Sequence, residues 1–440
     1  VFISNDGGLW GSNDAGTTFQ SLNRSLSLVQ FYGVAAHPTD ANLTFGGTQD
    51  NGSEKRAPGS NQWKQFITGD GGFCFVDPTD PNILFSTYVY GNVFRFTADG
   101  DNFDKTIGSN QVFGEPDSGQ RIEFIAPFTC DGVHDVLYFG TWRLFTSHDR
   151  GDTWAAPGGT LDLTKGTSPN GPSDAINAIG VGPADPNIIY TGSGEGRVMV
   201  TKDGGVTWTD VTSSLPNRSV TSITVSGTDS NIAYLTFSGY VSGHVFQTTN
   251  AGASWTDISG NLPDIPVNAL FAYPSDPNTL IVGTDIGIFG STVGGNEWGS
   301  FNVGLPPVVV NAFTLRPNQN IVAATYGRGA YELPAGIKPP PPDFSISLSP
   351  ASVSASRGSA APVMVKIVRT GGFSPSVSVT PPNASSFGVK VKPAKALTGD
   401  SVSFTLKIKA NAPVGTQQLN FTAQDSSGVS HSASLALTIQ

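Results

Sequence analysis

An eight-residue pattern, Ser/Thr-x-Asp-x-Gly-x-Thr/Ser-Trp, recurs along the chain and constrains its fold more than any other feature. It is complete at 201–208, closing on Trp208, and at 147–154, closing on Trp154. At 12–19 it closes on Phe19, at 248–255 Asn250 replaces the acid, at 291–298 the acid is lost, and at 97–103 it is one residue short. After a strand, an Asp or Asn caps the backbone N–H groups of a tight turn, and Gly supplies positive φ. The hydroxyls add side-chain-to-backbone bonds, and the closing aromatic packs beneath the hairpin. On this logic Asp14, Asp149, Asp203 and Asn250 are structural caps, and Trp154, Trp208, Trp255 and Trp298 are plugs.

The boxes fall at a regular period. The four closing Trp residues stand 54, 47 and 43 positions apart. A second marker, Pro-x-Asp-x-Asn or a close variant, recurs at 38–42, 78–82, 183–187 and 274–278. Pro fixes φ there, and Asp or Asn bonds the backbone two residues on. Alignment on these turns gives units at 31–67, 71–109, 121–159, 175–216, 219–263 and 267–306, each reading as four short strands. Such a period signals a propeller. Residues 308–333 read as a first, second and third strand; residues 1–22 read as a second, third and fourth. Joined in one blade, these ends give seven blades; kept apart, they give eight. Seven is the preferred expectation.

A polyproline run at 338–343 marks a boundary. Beyond it, apolar and polar residues alternate in about seven short strands, the pattern of an immunoglobulin-like sandwich without its cysteine pair or core Trp. The expected class is therefore all-β: a propeller over 1–335, a linker over 336–343 and an Ig-like sandwich over 344–440. The latter resembles modules appended to large secreted bacterial proteins.

The net charge is −10, with no basic stripe, which disfavours nucleic acid and anionic membrane surfaces as partners. No apolar run reaches membrane-spanning length. Cys74 and Cys130 lack metal-ligand spacing, and two buried thiols are favoured over a bridge. A chain opening at Val1 reads as a mature or truncated product. No cofactor or metal is expected. Asp99, Asp101 and Asp104 alternate as Ca²⁺ ligands do but lack the later Glu of a complete loop, so a degenerate box is the preferred reading.

The boxes resemble the Asp-box, or bacterial neuraminidase repeat. Together with 46–52, 283–287 and 324–333, they make about three quarters of the chain similar to sortilin-type and xyloglucanase-type propellers. That resemblance implies a secreted protein whose boxes lie at the turn between strands three and four, with function on the opposite face. Residues expected on that face are Asp6, Asp50, Asp70, Glu195, Asp285 and Arg328, with the aromatics Tyr90, Trp142 and Tyr326. The turn at 284–287 resembles the one holding a catalytic Asp in xyloglucanase-type enzymes, and Asp70 precedes an inner strand as the partner acid does. Those enzymes form their cleft between two propellers, and one is present here. Sialidase chemistry is disfavoured, since its Arg-Ile-Pro signature is absent. The integrin-like tripeptide at 150–152 lies inside a box and reads as structural.

The leading expectation is a secreted, non-catalytic binding, adhesion or extracellular assembly protein. Its partner would be a polysaccharide or an extracellular protein. The unpaired N-terminal unit would invite self-assembly or pairing with an upstream segment. The alternative is a glycoside hydrolase on β-glucans using Asp70 and Asp285 as a carboxylate pair. A third reading is a sortilin-like peptide receptor.

Overall fold

The computed structural model describes all residues except 6, 7, 24, 25, 57, 58, 60, 61, 115–120, 167–173 and 275. Asp6 is thus outside the described residues. The described chain is built of strands and turns, with one short 3-10 turn, and forms two compact units. One is Val1–Gly290, Gly294–Asn296 and Ser300–Pro339; the other is Ser291–Val293, Glu297–Gly299 and Pro340–Gln440.

After a three-stranded N-terminal sheet, the first unit contains seven antiparallel meander sheets in succession. Their first strands are Phe31–Ala36, Cys74–Val76, Phe128–Cys130, Ile176–Val181, Val220–Val225, Val267–Ala272 and Val309–Leu315. All seven line a single cavity of about 560 Å³. The sheets therefore stand around one axis. The second strands explain the packing. Thr44–Thr48, Ile83–Thr87, Ile189–Ser193, Ala233–Phe237 and Leu280–Thr284 are buried at every position. Each is covered by neighbouring sheets on both faces, so its sequence is continuously apolar or small instead of alternating.

The ring closes without its N-terminal residues, contrary to the expected sharing of terminal strands. Phe2–Asn5, Gly8–Gly11 and Gln20–Ser21 pair only with one another among the described residues. The first and seventh sheets meet directly: Asn311 Nδ2 donates to the Phe31 carbonyl at 2.9 Å, and Arg316 donates to Thr44 Oγ1 at 2.6 Å. The N-terminal sheet keeps Phe2 75% exposed.

Each box Asp is engaged within its own turn. Asp203 accepts from Thr201 Oγ1, from the Thr207 backbone N–H and from Thr207 Oγ1. Asp14 and Asp149 repeat this arrangement with Ser12 and Thr18, and with Ser147 and Thr153. Asn250 accepts from Thr248 and the Ser254 N–H. Trp154 and Trp208 donate to the Ile107 and Gly205 carbonyls, Trp255 packs on Tyr190, and Trp298 is buried. The Phe versions plug poorly: Phe103 is 60% exposed, lying edge-on to Phe94 and Phe96.

The second unit is two facing sheets. One orders Asp343–Ser349, Ala360–Thr370, Ser401–Ile408 and Val389–Lys392; the other orders Ser352–Ala355, Ser430–Ile439, Gly415–Asp425, Val377–Thr380 and Leu397–Thr398. Inward residues such as Val363, Val365 and Phe404 from the first meet Val379, Phe421 and Leu437 from the second in one core. Strict alternation of buried and exposed positions along Gly415–Asp425 is what a sheet with one dry face requires.

Candidate functional site at the rim of the ring

The turns between second and third strands share a local device. A buried hydroxyl at the end of the second strand donates across the turn: Thr48 to the Gly52 carbonyl, Thr284 to Gly287 and Thr325 to Gly329, at 2.7 to 2.8 Å. These clamps hold Asp50, Asp285 and Arg328 at one end of the ring. Glu195 and Trp142 occupy the corresponding turns of the fourth and third sheets, and Tyr90 that of the second. Asp70 lies on the link entering the second sheet, at the same end.

A second device runs around the cavity mouth. Five first strands carry a register shift near their start, and the residue bulged out is Tyr32, Asn177, Thr221, Asn268 or Asn311. Asn177 Nδ2 donates to the Val220 carbonyl of the next sheet at 2.7 Å, and Thr221 Oγ1 to Val267 at 2.5 Å. Asn311 donates to Phe31 in the same way. Asn268 departs from the series and donates to Asp285 Oδ1 at 3.0 Å.

Asp70 and Asp285 are engaged by different partners. Asp285 sits on the sixth sheet, and the seventh and first sheets stand between it and Asp70. Asp285 is held by Asn268, whereas Asp70 accepts the Asp50 backbone N–H at 3.0 Å. Tyr326 stands 6.0 Å from Tyr32. Burial and the neighbouring Tyr326, Asp70 and Asp50 push the Tyr32 hydroxyl up to about 12, so it is a hydrogen-bond donor at neutral pH.

Two carboxyl groups that do meet are Glu123 and Asp174, both on links entering first strands and both absent from the expected set. Glu123 Oε1 and Asp174 Oδ1 lie 3.2 and 3.5 Å from where a Cβ on Gly194 would stand, so both carboxyl groups border the same space. Asp174 accepts the N–H groups of Glu195 and Lys165, at 2.9 and 2.7 Å. Burial, with the Asp174 charge beside it, raises the Glu123 carboxyl to about 7. One acid is thus raised towards neutrality next to one that accepts two backbone N–H groups. No short motif announces it, since irregular links carry no periodic signal.

The rim aromatics are packed. Arg121 and Arg143 stand over the Trp142 ring at 5.0 and 4.9 Å, and Tyr90 meets Phe124 edge-on at 5.6 Å. Elsewhere, Arg150 and Asp152 of the integrin-like tripeptide are engaged by Asp77, and by Arg95 and Lys105. Asp101 pairs with Lys55 and Lys64, and Asp104 with Arg95. No group of three metal-ligating side chains occurs among the described residues.

The chain is similar in fold to solved structures of low sequence identity. The GH74 xyloglucanase from Xanthomonas campestris matches with a TM-score of 0.53 at 19% identity, covering 70% of this chain. This chain spans only 52% of that enzyme's length. The GH74 enzyme of Niastella koreensis matches with a TM-score of 0.53 at 14% identity, covering 93% of this chain and 73% of that one. YCF48 from Cyanidioschyzon merolae matches with a TM-score of 0.52 at 13% identity, covering 70% and 95%. The ring of meander sheets around one axis is a β-propeller. No protein-family model matches the sequence, and no curated protein does. The likeness of the propeller to these structures concerns fold alone.

Proposed function

We propose that the chain is a secreted binding protein whose propeller has seven blades, whose C-terminal unit is Ig-like, and whose ligand face is the rim opposite the boxes. Seven first strands around one cavity support the blade count. Two sheets over one core support the Ig-like reading. The low charge content and the Asp-box resemblance support secretion. The observation that carries the binding function is that Asp70 and Asp285 are each engaged by a neighbour of its own, the Asp50 N–H and the Asn268 amide, where paired catalysis requires two carboxyl groups across one bond. Polysaccharides are the first ligands to test, since a xyloglucanase shares the fold. Affinity electrophoresis against soluble β-glucans should retard the protein without releasing reducing ends. Unchanged mobility with every polymer tested overturns this reading for polysaccharides.

Hydrolysis is the second reading, and Glu123 beside Asp174 is what favours it. A carboxyl raised to about 7 suits a general acid, and the second carboxyl beside it supplies the partner that two-carboxyl hydrolysis requires. Reducing ends released by the wild type and abolished in Glu123→Gln support hydrolysis; release that survives the substitution sinks this pair.

A further inference from the structure

The axial cavity is chemically two-sided. Towards the first three sheets its wall is Tyr32, Phe73, Phe75 and Ile125. Towards the fourth to seventh sheets, its mouth presents the bulged Asn177, Thr221, Asn268 and Asn311. Ile179 and Leu270 line these sheets too, so the polarity is concentrated at the bulges. Asp, Glu, Lys, Arg and His are absent from the lining among the described residues.

Three consequences follow. A charged ligand would lose its hydration without gaining a counter-charge from the wall, a costly transfer. The bulged amides are fixed: each Asn amide nitrogen is engaged, by a neighbouring sheet or by Asp285, and this orients its carbonyl oxygen. The site is therefore preformed, and little ordering accompanies binding. A ligand that fits has one apolar face for the aromatic wall and hydroxyl groups for the amide side. The cavity's 560 Å³ lies within the usual range for small-molecule sites.

We infer that the axial cavity is a binding site for a small neutral saccharide, one pyranose face against Phe73 and Phe75 and its hydroxyls on the bulged Asn and Thr residues. This rests on the proposed reading only in taking the rim end as the ligand face. Both aromatic stacking and neutral hydrogen bonding are met by this ligand class.

The test is calorimetric titration of the full chain with glucose, xylose, galactose and cellobiose, beside glucosamine and glucuronate at neutral pH. Saturable binding of at least one neutral sugar is expected, with its charged analogues weaker by about tenfold or more. Ile179→Trp fills the cavity and should abolish that binding while leaving polymer retardation at the rim unchanged. Ser222→Leu, which leaves the bulge hydrogen bonds intact, serves the same purpose should the Trp variant melt early. Binding of none of the neutral sugars overturns the inference. So does equal or tighter binding of a charged analogue, or binding that survives a folded filling variant. Polymer retardation lost while sugar binding persists overturns the rim reading alone.

Discussion

Asn311 and Phe31, 280 positions apart, are joined by a 2.9 Å hydrogen bond from side-chain amide to backbone carbonyl, across the seam where the seventh sheet meets the first. The bond repeats the contacts Asn177 to Val220 and Thr221 to Val267 at other junctions. Asn311→Ala leaves the Phe31 carbonyl without this donor, and should lower stability by about 1 to 2 kcal/mol. Urea unfolding followed by fluorescence measures it. Deleting residues 1–22 should leave the ring's transition in place, since those strands pair only among themselves.

Acid should weaken the boxes selectively. Hydrogen bonds from Thr18, Thr153 and Thr207 hold Asp14, Asp149 and Asp203 at about 2, below the ordinary 3.8. A carboxylate depressed in the folded state stabilises above its unfolded pKa, and that contribution is lost as pH falls from 3.8 towards 2. Replacing all three with Asn, as Asn250 stands in the box at 248–255, should flatten stability over this window. A urea midpoint that falls as steeply in the triple variant refutes the assignment.

Glu123 acts with the opposite sign. Raised from 4.5 to about 7, it binds its proton more tightly folded than unfolded. Its contribution is complete below 4.5 and is lost as pH rises towards 7. Relative to Glu123→Gln, the wild type should lose about 2 to 3 kcal/mol across that interval. Denaturation midpoints of the two proteins from acid to neutral pH show whether they diverge.

The thiols should be silent until the fold opens. Burial pushes Cys74 up to about 11 and Cys130 up to about 12, and Cys74 Sγ contacts Ser86 Oγ at 3.2 Å. At about pH 8 a thiol reagent should find neither in the native protein and both in urea, because the thiolate is the reactive form. Rapid native labelling of Cys74 contradicts this burial.

The strands were legible because their signals are local. The turn at 183–187 joins the first two strands of the fourth sheet, and the box at 201–208 joins its last two. The junctions were not. Asn177, Thr221 and Asn311 matter through bulges, and a bulge exists only once two strands have a register. Ring closure was obscured similarly: the residues at 1–22 and 308–333 look complementary by strand count, yet the seventh sheet pairs its surface with Phe31–Ala36 instead. Glu123 and Asp174 stand on irregular links, and no periodic signal in the sequence reports that two such links meet.

The bulge contacts also bear on how freely this ring could be rewritten. The seam at Asn311 and Phe31 uses the same donor and acceptor as the junction of Asn177 with Val220 inside the chain, so this seam is chemically no different from that internal junction. Sheet order around the axis matters; the point at which reading begins does not. A gene cut at the link before Ile176 and rejoined between 333 and 31 would encode the same circle, rotated.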